Sequence, residues 1–289
     1  MQNTWQTSED LTNLIIHKKN LNKFLITNTY DINTDLCCFS HVPKTAGTSL
    51  ESIVAKNFKA SDVLHINAPD LNRLPELIDL KKNGPRFICG HHPIHGQLYR
   101  LIADKPLFHF TQLRNPLDRV ISYFNYVKGK KDHPMHPHAN NSLEKFLTAN
   151  PSPELINGQS RRFSGYLHSG SASPETYFNE AKDVLSQCFS LVLTTCLFDE
   201  GLLLLKNRLG LKDIYYQRVN ESTQFITKNE LSDAVLNLIL EHNRADIDLF
   251  DWAKAQCQNL IKQELSPKAI ADFKSINLKW RALIDSPGD

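Results

Sequence analysis

Three short stretches hold the residues best suited to chemistry. The first, HVPKTAGTS (41–49), sets a lysine, a glycine and several hydroxyls within a few positions. Lys44 supplies a point charge for an anion, and Thr45, Thr48 and Ser49 offer hydroxyl donors. Gly47 allows close backbone approach, with Pro43 and Ala46 completing the turn. The second, LRNPLDRVISYF (113–124), carries Arg114, Arg119 and Ser122; a guanidinium fork beside a hydroxyl suits a phosphate monoester. The third, GHHPIHG (90–96), gathers His91, His92 and His95, and imidazoles exchange protons near neutrality. Each stretch has a plainer alternative: a polar-capped turn, surface or interhelical ion pairs with residues such as Asp118, or hydrogen-bonded structural histidines.

For these groups to meet one ligand, the chain must deliver them to one edge of the fold. LCCFSHV (36–42) reads as a strand running into the first stretch, with a helix from Ser49 to Phe58 after it. A strand, tight turn and helix leave unpaired N–H groups at the helix start, where the helix dipole favours an anion. The loop is not of the Walker A type, because Lys44 precedes its only glycine. A second strand is expected at Asp62–His65, and a helix over 70–82 through Leu71, Leu74, Leu77 and Ile78, stopped by Asn83-Gly84-Pro85. RFICG (86–90) is a strand that ends at the histidines, and PLFHFTQL (106–113) one that ends at Arg114. Asn115 as cap and Pro116 at the first position open a helix to about Val127, with Val120, Ile121, Phe124 and Val127 facing the core. Strands alternating with helices predict an α/β fold around a parallel sheet, whose ligands bind at the carboxyl edge.

The stretch 129–141 is read as a polar loop, and its His133, His136 and His138 as solvated side chains, too few ligands for zinc. Beyond it the chain turns mostly helical, with one more strand at 188–195 and a long apolar stripe from Leu231 to Leu260. A single domain is expected, with a core over about 36–255, an N-terminal extension (1–35) and a helical C-terminal extension (256–289).

Two anion sites at neighbouring strand ends fit a nucleotide with separated 5′ and 3′ phosphates. HVPKTAGTS resembles the 5′-phosphosulfate loop of sulfotransferases that use 3′-phosphoadenosine-5′-phosphosulfate (PAPS), and LRNPLDRVISYF resembles their 3′-phosphate motif. The pattern is similar to the heparan sulfate 2-O- and 6-O-sulfotransferase family and its bacterial relatives. The similarity continues through CGHHPIHG (89–96), NGQSRRFSGY (157–166) and FDEGLLLLKNRLG (198–210), and spans roughly 36–255. It implies a P-loop-like three-layer fold, PAPS as donor and 3′-phosphoadenosine-5′-phosphate (PAP) as product; with a phosphate as leaving group, no metal is expected. It places Pro43–Ser49 on the 5′ end of the donor, Arg114, Ser122 and Arg218 on the 3′-phosphate, and Lys44 on the bridging oxygen and sulfonate. It also implies a base in the histidine loop. A Gly-His pattern favours His91, the first choice, and a Gly-x-His pattern favours His92. His95, Gln159, Arg161 and Arg162 are expected at a hydroxylated acceptor, a glycan or another hydroxylated compound. Ser160 stands where the family usually has threonine. The competing readings are a non-catalytic nucleotide-binding module and an ATP-using P-loop kinase.

A formal charge of +2 over 289 residues gives no argument for nucleic acid as a partner. Six cysteines without a C-x-x-C pair read as reduced thiols. The N-terminus lacks signal-peptide character, and no segment approaches the roughly 20 apolar residues of a membrane span. The expected location is therefore cytoplasmic.

Overall fold

The computed structural model describes residues 25–67, 70, 73–78, 84–92, 97–102, 105–149, 152–167, 170–217 and 225–285. Its centre is a six-stranded sheet of β1 (Leu25–Ile26), β2 (Leu36–Ser40), β3 (Val63–Ile66), β4 (Phe87–Gly90), β5 (Pro106–Leu113) and β6 (Leu191–Thr194). All pairings are parallel, in the order β1-β5-β2-β4-β3, and β6 pairs with the later half of β5. The helices are α1 (Gly47–Ala55), α2 (Leu74–Leu77), α3 (Gln97–Ile102), α4 (Pro116–Gly129), α5 (His136–Ala139), α6 (Leu143–Ala149), α7 (Gly158–Ser164), α8 (Pro174–Cys188), α9 (Phe198–Leu209), α10 (Asp233–His242), α11 (Arg244–Glu264) and α12 (Pro267–Asp285).

The central strands are largely apolar because both faces of the sheet are covered, and the buried polar residues His109, Thr111 and Gln112 of β5 are each hydrogen-bonded. Side chains alternate between faces. Cys37 and Phe39 enter one cluster with Leu50, Phe87, Phe110 and Leu204, while Leu36 and Cys38 enter another with Ile88, Val184 and Leu249. A third cluster joins α4, α6 and α10 through Val120, Phe124, Phe146 and Ile239. The expected core residues of α4 are therefore core. The α/β fold class and the helical second half are as the sequence predicted.

Register decides where the chemistry falls. Ser40 lies level with Gly90 on one side and Thr111 on the other. The chain thus leaves β2, β4 and β5 at one edge, which brings the Lys44 turn, His91 and Arg114 to neighbouring positions. Gly90 is required there: its φ is +128°, and a Cβ would sit 2.1 Å from the carbonyl oxygen of Ile66.

Several boundaries differ from expectation. The helix after β2 starts earlier, at Gly47, and the helix expected over 70–82 is described only at Leu74–Leu77. Cys188 closes a helix, so the last strand is only Leu191–Thr194. The polar loop contains the short helix α5. The long stripe from Leu231 is two helices broken at Asn243, whose buried side chain donates to the carbonyls of Leu155 and Ile239 and accepts from Asn157 N–H. The sheet reaches back to Leu25, inside the expected N-terminal extension. Among the described residues no helix is long and apolar enough to cross a membrane.

Candidate active site

The turn after β2 is shaped by fixing its carbonyls. Val42 C=O accepts from Thr45 Oγ1 at 2.8 Å, Pro43 C=O from Arg119 Nε at 3.0 Å and Lys44 C=O from an Arg114 Nη at 3.2 Å. Thr45 C=O accepts from the buried Gln112 amide. With these oxygens held by the protein, and with Lys44 and Ala46 in left-handed conformations (φ 67° and 59°), the first N–H groups of α1 lie at the mouth of the turn. The start of α1 has neither a side-chain cap nor an acidic residue in its first turn. This backbone is suited to an anion.

Side chains in the turn divide by role. Thr48 is exposed and Ser49 half-buried, whereas Thr45 is fully buried and its hydroxyl holds Val42, so Thr45 stabilises the turn rather than presenting its hydroxyl to a ligand. Gly47 is needed because the His41 imidazole packs against it: a Cβ would lie 2.0 Å from that ring. Lys44 Nζ rests 4.2 Å from the centre of the Tyr126 ring. Burial, then the charges of Arg114 and Lys130, pulls the Lys44 amine down to about 8.

Arg114 leaves the end of β5 toward the same turn, with its backbone clamped at both ends by Gln159, which accepts from Arg114 N–H at 2.9 Å and donates to Arg114 C=O at 2.8 Å. Ser122 lies two turns into α4, half-buried. Arg119, expected beside it as part of an anion-binding fork, is instead 1% exposed and pairs with Glu154, whose other oxygen is taken by Arg162. It is a buried strut between the Lys44 turn and the segment before α7.

The two neighbouring histidines have opposite surroundings. His91 keeps exposed surface, and its Nδ1 lies 2.9 Å from His41 C=O. A carbonyl only accepts, so Nδ1 carries the proton and Nε2 keeps its lone pair. Crowding by protein, then the charge of His41, holds this ring at about 4, against the opposing pull of the His41 carbonyl. His92 is buried, its Nε2 donating to Phe39 C=O at 3.2 Å and its Nδ1 lying 3.5 Å from Tyr99 Oη. Tyr99 also bonds His109, which donates to Cys188 C=O. His92 is thus an interior link across the sheet, with no ring nitrogen turned to the edge where Lys44 and His91 lie.

Residues 72–270 match the family model described as galactose-3-O-sulfotransferase. The chain belongs to this family. The match covers more than half of the chain and includes the His91 loop, the Arg114 turn and α7, while the Lys44 turn precedes it. This sulfotransferase family stands where the motif pattern suggested the heparan sulfate 2-O- and 6-O-enzymes. No curated protein matches. Among solved structures the chain is similar to mouse sulfotransferase SULT7A1 complexed with PAP, with 14% identity, 86% of this chain and 94% of that chain covered, and a TM-score of 0.34.

In this sulfotransferase the NGQSRRFSGY segment has several partners within the protein. Gln159, expected at the acceptor, is fully buried on the Arg114 backbone. Arg161 donates to Tyr166 C=O, and Arg162 pairs with Glu154. Ser160, at the position where threonine is usual, donates to Asp246. His95 and Arg218 lie outside the described residues. Among the described residues, Glu51, His65 and Cys89 are the only His, Cys and acid trio with ligand atoms close enough for a metal, within 4.8 Å of one another. Both oxygens of Glu51 are hydrogen-bonded, to His41 and to His65. The loop histidines stand apart from it, His136 bonding Val127 C=O and His133 accepting from Met135 N–H.

Sequence reasoning passed over His41, Glu51, Tyr126, Glu154 and Asp246. Only His41 carried a local signal, being the first residue of the Lys44 motif; the others are brought in by folding.

Proposed function

We propose that the protein transfers the sulfonate of PAPS to a carbohydrate hydroxyl, releasing PAP. The observation that supports this most is the convergence, on three adjacent parallel strand ends, of an uncapped helix start with Lys44, an Arg114 guanidinium, and a histidine whose Nε2 is unprotonated. In this reading the backbone of Pro43–Ser49 and the Thr48 and Ser49 hydroxyls bind the 5′-phosphosulfate. Arg114 and Ser122, with Arg218, bind the 3′-phosphate. His91 Nε2 takes the proton of the acceptor hydroxyl as its oxygen attacks sulfur, and the bond from sulfur to the bridging oxygen breaks. Lys44 neutralises the charge that develops on that oxygen. The leaving group is a phosphate, so the transfer calls for no metal. His92 is assigned to the scaffold, because burial and its bonds to Phe39 and Tyr99 already use the ring. Six free cysteines, five of them buried, support work in a reducing compartment such as the cytoplasm.

The test is calorimetric titration with PAP, beside ATP and ADP with and without Mg²⁺, followed by transfer of labelled sulfonate from PAPS to a panel of sugars that includes β-galactosides. Metal-independent binding of PAP and labelling of a sugar are expected. Mg²⁺-dependent ATP binding would replace the reading with a kinase, and PAP binding without transfer to any hydroxyl would leave a nucleotide-binding module.

A further inference from the structure

We infer that His41, held by Glu51, is a positioning residue for the His91 ring and couples that ring to the Lys44 turn. The inference rests on the proposed role of His91 as base. Parallel register sets Ser40 level with Gly90, so the next residues of the two strands, His41 and His91, leave the sheet side by side. Two contacts follow. The His41 carbonyl accepts the Nδ1 proton of His91 at 2.9 Å, and the two rings lie 4.2 Å apart between centres with their planes 33° apart. The carbonyl selects the tautomer, and the ring limits how the His91 plane can turn.

His41 can do this only because it is gripped. Its Nδ1 lies 3.1 Å from Glu51 Oε1, its other side stacks on Phe39 at 5.5 Å, and its Cδ2–Nε2 edge presses on Gly47. Glu51 is buried, and its second oxygen meets His65 Nε2 at 3.1 Å. Burial would push the Glu51 carboxyl upward, but its bonds and charges with His41 and His65 outweigh this and hold it below its ordinary value. A buried carboxylate kept ionised by two imidazoles is a rigid joint, since releasing His41 leaves one buried carboxylate oxygen unpaired. The joint spans α1, whose first residue Gly47 touches His41, and the start of the His91 loop. It therefore ties the loop proposed to hold the donor to the ring proposed to take the proton. A carboxylate that orients one imidazole, which in turn orients a second, extends by one member the common pattern of a base held by a third group.

The groups acting electrostatically on His91 are His41 at the end of β2, Arg162 on α7 and Glu51 on α1. Among them His41 is the largest charged influence, and it opposes protonation of His91. His41→Asn keeps a donor for Glu51 while removing ring and charge, and Glu51→Gln keeps shape while removing the carboxylate. Labelled imidazole NMR, with the His91 signals assigned from a His91→Gln spectrum, reads the pKa and tautomer of that ring. In His41→Asn the His91 pKa is expected to rise by about 1 unit or more, moving the acid limb of kcat/KM with it. In Glu51→Gln the single Nδ1–H tautomer gives way to a mixture, and kcat drops ~10-fold while PAP affinity stays within about threefold. A His91 titration and tautomer identical to wild type in the folded variants would overturn the inference, even if turnover falls. If His41→Asn fails to fold, the tautomer in Glu51→Gln decides alone. Wild-type protein that neither binds PAP nor transfers sulfonate would defeat the proposed function, while the ring measurements would still decide whether His41 positions His91.

Discussion

The turn into α1 and the turn into α7 share a local plan: a left-handed residue, a glycine, a polar residue and a serine. One reads Ala46-Gly47-Thr48-Ser49, the other Asn157-Gly158-Gln159-Ser160, with φ of 59° at Ala46 and 49° at Asn157. Each glycine makes room for a basic side chain, His41 in the first and Arg119 in the second, where a Cβ would lie 2.8 Å from Nη1. At α7 the Asp246 carboxylate closes the helix start, accepting from Gln159 N–H at 3.0 Å, Ser160 N–H at 2.7 Å and Ser160 Oγ at 2.7 Å. At α1 no side chain does this. The same backbone device is a structural joint where the chain supplies its own anion, and is left without a carboxylate where Lys44 stands beside it, as the proposed donor site requires. Arg119 joins the two, donating to Pro43 C=O in one turn and pairing with Glu154 just before the other.

The sharpest way to separate the two turns is to remove what each adds to the backbone. Lys44→Ala is expected to lower kcat by ~10²- to 10³-fold, with a smaller loss of PAP affinity, because its main contact forms as charge develops on the leaving oxygen. Equal losses in both, measured by steady-state kinetics and calorimetry, would make Lys44 a ground-state anchor. Asp246→Ala leaves the α7 donors unpaired in the interior and should cost about 3 kcal/mol of stability. A denaturant midpoint unchanged from wild type would refute the closed joint.

Smaller effects probe the α1 turn in place. Lys44 is held at about 8 against an ordinary 10.5, so between those values the unfolded chain binds more protons than the folded one. The fold therefore gains stability as pH rises through that window, while PAP affinity falls as Lys44 loses its charge. Both slopes should vanish in Lys44→Arg, as thermal melts and titrations across the window would reveal. Smallest is Ser49→Asp, which gives α1 a carboxylate at its start, as Asp246 of α11 supplies one to α7. It should stabilise the fold by roughly 0.5 kcal/mol and weaken PAP binding; tighter PAP binding would contradict the anion-site reading.

Much of the fold was legible. Mainly apolar runs at 36–42, 86–90 and 106–113 marked the three strands that carry the candidate site, because strands buried on both faces are rich in apolar residues. Asn115 and Pro116 announced α4 correctly, with the Asn115 side chain accepting from Leu117 and Asp118 N–H. The break at Asn243 was invisible, since its cause is a hydrogen bond to Leu155, 88 residues away. The partners of the NGQSRRFSGY segment were hidden in the same way: Gln159 meets the Arg114 backbone, Ser160 meets Asp246 and Arg162 meets Glu154, all far off in the sequence or set by the fold.

The sequence alone determined which residues could do the chemistry and which edge of the sheet would hold them, because strand, turn and cap signals act over a few neighbouring positions. Tertiary structure decided their roles. Of two adjacent histidines it turned one outward and buried the other; of two arginines five residues apart it aimed Arg114, before α4, at the Lys44 turn and buried Arg119, within α4, on Glu154. Of two similar helix starts it closed one with a carboxylate from 86 residues away. Such choices depend on which side chains meet in space, and local propensity carries no record of that.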